Sequence, residues 1–392
     1  HPAAPCQPFS GHQASGRTSG LAEGIGLPVR STVPLGERAG TLTSTDALPR
    51  NREAIPVATP LKLVHIGAGG FSRTRHAPTL QHLAESTDPP ISLEAICDLD
   101  RRRAVGFCES FGYKRAYTDL DLMIQEVRPQ VIVCTVQPPA TAPVLERLLP
   151  LGLPIFTEKP PGVTLAQAER LGDLAEEHGV VTYVGFNRRR APGIERLKRW
   201  SLENGPDAAA RNRRLEPEFG IGTAIHALDC LRYLGGEVEA VETVCRPYEG
   251  TEARDFLVRL HFAGGFVGDL AVLVDCGLLR ERYLIQTTNA CMETTLAGGY
   301  SSDFCKPGEV AYRGGLVEFD DAAVSDWMVA GGFLGEHQAF LEAVHSGKLP
   351  DCCLQDGRRS VRLAVAVHEE YSGPMEAFAP TGPDPYVRAA SG

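Results

Sequence analysis

The sequence contains no apolar run near the ~20 residues that a membrane-spanning helix requires. It also has no apolar core of a secretory signal peptide. None of its 11 cysteines forms a CxxC pair, and the ligand spacings of a zinc site are missing, so no metal is expected. There is no excess of base. Lys and Arg number 39 against 49 Asp and Glu, a formal net charge of −10. That balance favours solubility and argues against a nucleic-acid partner, which would want a basic face. The cysteine count is odd, Cys352 and Cys353 are adjacent, and Cys97 and Cys134 lie in apolar, strand-like runs. They read as buried free thiols in a reducing compartment, which implies a cytoplasmic protein with no membrane partner.

The chain has 392 residues, 43% hydrophobic and 22% charged, enough for two domains with cores of their own. Residues 1–59 begin with His1, are rich in Gly, Pro, Ser, Thr and Ala, and show no lasting apolar period. They read as a flexible arm or a translation artefact.

From Leu61 the texture changes. Short apolar runs at 61–66, 92–97, 131–135, 155–157 and 180–184 alternate with helical patterns near 101–111, 141–151 and 164–178. Such alternation predicts a parallel, doubly wound α/β sheet of the Rossmann type over residues 60–186. A helix near 222–235 follows. Strand candidates at 238–247, 255–263, 266–274 and 281–288 come next, and helices near 333–346 and 356–371 close the chain. Consecutive strands without intervening helices predict an α+β domain over 187–375, an open-faced antiparallel sheet with helices on one side, and 376–392 is left as a tail. An exposed sheet face favours a homo-oligomer, dimer or tetramer.

Three stretches carry chemistry. GAGGFS, residues 67–72, follows the first strand and opens a helix. Gly67 permits a tight turn, and Gly69 lets the backbone approach a pyrophosphate. Gly70, Phe71 and Ser72 lead into the helix N-terminus, with Ser72 where the third small residue of the fingerprint stands. Asp98 ends the second strand, where a carboxylate can take both ribose hydroxyls. Arg101, Arg102 and Arg103 follow and leave a 2′-phosphate possible. NAD is therefore favoured with NADP open. Thr135 ends the third apolar run and joins this group.

The second stretch, IFTEKPPG (155–162), puts Glu158 and Lys159 just past a strand end, on the side where such sheets bind ligands. A partly desolvated lysine can exchange protons near neutral pH, and Pro160 restrains its backbone. Glu158 is placed to orient or charge-balance Lys159, and both are expected to border the cofactor. The third stretch, Asp207–Arg214, is polar and basic and reads as a solvated loop, with a mobile lid over an anionic substrate as the alternative.

IFTEKPPG resembles the EKP element of the glucose-fructose oxidoreductase / inositol dehydrogenase (Gfo/Idh/MocA) family. LKLVHIGAGG is similar to its first strand and turn, and VGFNRRR (184–190) to its "GFNRR" segment. GTAIHALDCLRYLGG (222–236) is similar to its interdomain helix. The resemblance spans roughly 60–375. It implies a two-domain NAD(P)-dependent oxidoreductase acting on a small molecule, a sugar, polyol or related cyclic hydroxy compound. It maps Lys159 to the catalytic lysine and His226 to a catalytic or substrate-orienting histidine. Asn187, Arg188 and Thr223 flank the substrate. Many members carry an aspartate one turn before that histidine, where this chain has Gly222. That departure leaves open a cofactor-binding sensor or partner subunit with little turnover. A glycosidase using bound NAD is a third reading with no specific motif. Asp229, three residues after His226, either orients the imidazole or serves structure.

Overall fold

The structure, a computed structural model, describes residues 60–381 apart from 87, 89, 205–207, 215–220, 251–253, 274–280, 287–290, 297–309, 313–314 and 318–325. At 204, 208–214, 221–223, 291, 295, 310–312 and 315–317 it describes the backbone alone. The arm at 1–59 and the tail beyond 381 lie outside the described residues.

The first half is a six-stranded parallel sheet. Its strands are β1 (Leu61–Ile66), β2 (Ile91–Cys97), β3 (Arg115–Tyr117), β4 (Val131–Cys134), β5 (Ile155–Thr157) and β6 (Thr182–Val184), in the order β3-β2-β1-β4-β5-β6. All pairs are parallel. Every residue of β4, β5 and β6 is buried, as befits strands covered on both faces. The helices are α1 (Ala77–Ala84), α2 (Arg101–Phe111), α3 (Leu120–Val127), α4 (Pro138–Leu148) and α5 (Leu165–Glu177). Asp100, Asp119 and Thr164 cap α2, α3 and α5 by accepting backbone N–H groups. The chain leaves β1 toward β2 on one side and β4 on the other. The sheet's switch point thus lies between β1 and β4, with Gly67 and Thr135 at its mouth.

The second half opens with α6 (Pro192–Asn204), β7 (Ala208–Arg214) and α7 (Ile221–Gly235). It continues through β8 (Val238–Pro247), β9 (Arg254–Phe262), β10 (Val267–Leu273), β11 (Glu281–Gln286), β12 (Cys291–Leu296), β13 (Val310–Tyr312) and β14 (Gly315–Val317). Helices α8 (Trp327–Ala330), α9 (Phe333–Ser346) and α10 (Leu354–His368) and the short β15 (Gly373–Pro374) complete it. The sheet order is β14-β13-β12-β11-β7-β10-β9-β8-β15. Pairing is antiparallel except between β10 and β7. One face buries Val241, Phe256, Val258, Leu260, Leu270, Val272, Tyr283 and Ile285. The opposite face carries exposed Glu242, Val244, Leu257, Arg259 and Asp269, the alternation of a sheet covered on one side.

One expectation fails here. Residues 208–214 are a strand, not a loop or lid, and they lie in the middle of the second sheet between β10 and β11. The polar composition that suggested solvent is overridden by pairing on both edges, which satisfies the backbone whatever the side chains are. Helices α3 and α6 and strands β3, β12, β13 and β14 also escape the sequence reading.

The last segment staples the halves together. Val184 N–H donates to the Cys352 carbonyl at 2.7 Å, and Leu354 N–H to Thr182 Oγ1 at 3.0 Å, so chain near 352–354 caps the edge strand β6. Cys97, Cys134, Cys230, Cys352 and Cys353 are buried free thiols. Among the described residues no helix is long and apolar enough to cross a membrane.

Candidate functional site

The glycine turn is built by close approach. Gly67 has φ +99°, and a Cβ there would stand 2.8 Å from the Thr135 carbonyl oxygen, so only glycine fits without strain. Its N–H donates to the Cys97 carbonyl at 2.8 Å, locking the turn to the end of β2. Gly69 and Gly70 are different. Both are exposed, and a Cβ on either would meet nothing within 4 Å. The protein itself does not demand glycine at 69 and 70; a bound group approaching the bare backbone would. The helix starts at Gly70 and passes through a π-helical turn, Ser72–His76, into α1, so the glycine turn opens onto a helix N-terminus, which suits an anion. The turn therefore fits a dinucleotide.

Asp98 follows β2 beside this turn. Its Oδ2 accepts the Ala68 N–H at 2.8 Å, and its Oδ1 accepts the Asp100 N–H at 2.8 Å and Arg103 Nη2 at 2.7 Å. Burial pushes the Asp98 carboxyl up, but the Arg103 guanidinium and the two amides outweigh it and hold it below the usual carboxylate range. Arg103 thus folds back over the residue expected to meet the ribose, while its own side chain remains half exposed.

Two side chains of the turn region point inward. Ser72 Oγ lies 3.0 Å and Thr135 Oγ1 2.8 Å from His65 Nε2, and the Tyr113 hydroxyl lies 2.7 Å from His65 Nδ1. The hydroxyls of Ser72 and Thr135, two residues expected beside the cofactor, are thus held by His65 in mid-strand. Burial, with His76 adding to it, pushes the His65 imidazole down to about 3. The unfolded chain takes up this proton near 6.5 and the folded one does not. Stability from this group is therefore full above pH 6.5 and declines as pH falls toward 3, by at most about 1.4 kcal/mol per pH unit. His65→Asn is expected to flatten that slope in urea melts between pH 6.5 and 4.

Glu158 and Lys159 follow β5, next to β4 in the sheet. Glu158 N–H donates to the Cys134 carbonyl at 3.0 Å, so the element stays in register with β4. The Glu158 carboxylate turns into the fold rather than toward the pocket. Its Oε1 lies 2.7 Å from His76 Nε2, and its Oε2 accepts the Lys159 backbone N–H at 3.1 Å. A Cβ on Gly185 would stand 2.8 Å from Glu158 Oε1, so the neighbouring strand end needs a glycine to admit the carboxylate. Lys159 is part-buried and joined to Pro160 by a cis peptide bond. His76 Nδ1 in turn lies 3.0 Å from His337 Nε2 on α9. Glu336, its neighbour, is fully buried; burial pushes its carboxyl well up, Glu158 adds to this, and Arg188 and Arg190 oppose it. None of His65, His76, Tyr113, Glu336 or His337 stands out in the sequence, because their partners are remote along the chain.

The segment after β6 divides by role. Asn187 is buried, and its Nδ2 donates to the Gly331 carbonyl at 2.7 Å, so it anchors the start of α9. Arg188 stays partly exposed, bonded to Asn187 Oδ1 at 3.0 Å and near Glu281 at 3.5 Å. Arg189 is buried against Asp229 at 2.6 Å and Asp356 at 2.6 Å. That pairing commits Asp229 to Arg189 rather than to the histidine. His226, on α7, is buried with its ring edge-on to Phe186, centroids 6.1 Å apart. Gly222 lies in the first turn of α7, and the side chain of Thr223 lies outside the described residues.

A glycine turn at a switch point, an acid at the end of β2 and a lysine past β5 define a dinucleotide-binding α/β protein with a second α/β domain. The chain belongs to the Gfo/Idh/MocA family: residues 61–186 match the model of its oxidoreductase NAD-binding Rossmann fold, and residues 181–373 that of its C-terminal alpha/beta domain. It is 28% identical over 202 residues to the D-glucoside 3-dehydrogenase of Escherichia coli, covering 46% of this chain and 55% of that one. It is 28% identical over 229 residues to the inositol 2-dehydrogenase of Rubrobacter xylanophilus, covering 54% and 64%. The matches thus span between about half and two-thirds of these relatives' lengths. The fold is shared with a levoglucosan dehydrogenase solved with NADH and L-sorbose, at TM-score 0.69 and 18% identity over 81% of this chain and 99% of that one.

Proposed function

We propose that the protein is an NAD(P)-dependent dehydrogenase that moves hydride between a carbinol carbon of a sugar, polyol or related cyclic hydroxy compound and the nicotinamide. The observation that carries this reading is the position of Lys159. It follows β5, beside the β1–β4 crevice whose mouth is made by Gly67 and Thr135. A bound nicotinamide would supply the hydride acceptor or donor. Lys159 holds or releases the hydroxyl proton as general acid/base, and His226 assists. Gly67, Gly69, Gly70 and the helix N-terminus carry the pyrophosphate, and Asp98 takes the ribose once Arg103 swings off it. Residues 60–186 carry the cofactor and 187–375 the substrate. Exposed Val244 and Leu257 on the open sheet face support a homo-oligomer, and the buried thiols support a cytoplasmic setting. The second reading, a cofactor-binding partner with little turnover, draws on Gly222.

The test is titration with NADH and NADPH by nicotinamide fluorescence. NADH is expected to bind at least about tenfold tighter, a difference of 1.4 kcal/mol, because Asp98 repels a 2′-phosphate. Asp98→Asn should narrow that ratio. Failure to bind either cofactor would remove the reading at its base. Binding without turnover on a sugar and polyol panel would favour the second reading.

A further inference from the structure

We propose that His76, His337 and Glu336 form a buried binding site for a divalent zinc-type ion, set behind the Glu158–Lys159 element and clasping the two halves of the chain. One donor atom from each of the three side chains can be chosen so that all lie within 4.8 Å of one another, and all three residues are buried. Two imidazoles and a carboxylate are the donor set that suits zinc rather than magnesium or calcium.

The unmet polar atoms point the same way. Among the described residues neither carboxylate oxygen of Glu336 has a hydrogen-bond partner, though Glu336 is fully buried. A buried carboxylate left without a partner is among the more costly features a fold can carry. Arg188 and Arg190 are the cations that act on it from outside, and the walls of the cluster are aromatic. Phe71 and Phe333 meet the His76 ring at centroid distances of 5.5 and 6.1 Å, and Phe156 stacks on His337 at 4.4 Å. Glu158 brings a second carboxylate into the same apolar box. A divalent cation would balance both.

The outer contacts are those of a metal ligand. A carboxylate accepts only, so the His76 Nε2 proton faces Glu158 Oε1, 2.7 Å away, and His76 Nδ1 is turned toward the cluster. A carboxylate behind a ligating histidine fixes its tautomer and raises its basicity. His76 Nδ1 and His337 Nε2 stand 3.0 Å apart, close to the ~3.3 Å separating two nitrogens on one tetrahedral zinc. An ion would replace that hydrogen bond, the His337 proton moving to Nδ1. His76 stands 260 and 261 residues from the adjacent pair Glu336 and His337, which is why the local spacings of a zinc motif are missing.

The experiment uses the full chain, purified without added metal or tags that bind it. Elemental analysis after dialysis should find close to one zinc per chain. Stripping with a chelator should lower the melting temperature, and zinc, not magnesium, should restore it by about 5 °C. Glu336→Gln and His337→Gln should each abolish both the retained zinc and the response. If instead Glu336 is a neutral buried acid, wild type carries no zinc and does not respond to it, and Glu336→Gln melts like wild type; that result overturns the site. Zinc retained equally by both variants would belong to other groups, such as the thiols, and overturns it too. If either variant fails to fold, the wild-type zinc content and chelator response decide alone.

Discussion

Lys159→Met is expected to lower kcat by about 10³-fold while leaving the dissociation constant for NADH within about twofold of wild type. Methionine keeps the length and apolar stem of lysine and removes only the amine. The carbinol proton then has no base at the end of β5, and its transfer must go to water or to His226. Because the glycine turn and Asp98 stand on β1 and β2, cofactor binding does not depend on the amine. The contrast between the two readouts is what makes the test specific, since a damaged fold would lose both. A variant with unchanged kcat would reassign the proton transfer to His226.

The first sheet was legible because its physics is local. Leu61–Ile66 is apolar and ends in a glycine turn, and helix 101–111 is bounded by Asp100 and Gly112, so strand, turn and helix announce themselves in order. The same logic finds α9 at 333–346, between Gly332 and Gly347, both in the left-handed region. It fails at 208–214, where a polar strand is held by neighbours that arrive sixty and seventy residues later. It fails again around Glu158. The sequence correctly puts an acid beside Lys159, but the direction of that acid is set by His76, 82 residues away, and by the absence of a side chain at Gly185. Ser72, Thr135 and Asn187 share this pattern. Their positions near the site follow from local sequence, while their partners His65 and Gly331 come from tertiary packing.

Asp229→Ala is expected to destabilise the protein by about 3–5 kcal/mol, far more than any surface substitution. Asp229 is fully buried and bonds Arg189 through both oxygens, at 2.8 and 2.6 Å, and it also accepts the Ser360 hydroxyl at 2.7 Å. Arg189 continues to Asp356 at 2.6 Å and to the Asp351 carbonyl, and Arg232 reaches Asp356 at 3.0 Å and Ser360 at 2.7 Å. The two guanidiniums thus share Asp229 and Asp356 where the segment after β6 meets α7 and α10, and Arg232 also reaches the half-exposed Glu237 at 3.0 Å. Removing Asp229 alone leaves the buried Arg189 with Asp356 as its remaining side-chain carboxylate, one that it shares with Arg232, in a place with little water. Arg189→Met alone leaves the Asp229 carboxylate with one hydroxyl. Removing both charges together, as Asp229→Leu with Arg189→Met, leaves the Arg232–Asp356 pair balanced. The double variant should therefore cost less than the sum of the single ones by about 2–3 kcal/mol in urea melts. Additive costs would mean that Asp229 acts mainly through Ser360 or through the adjacent helix. That outcome would reopen a link from Asp229 to His226, one turn earlier on α7, which the pairing with Arg189 otherwise closes.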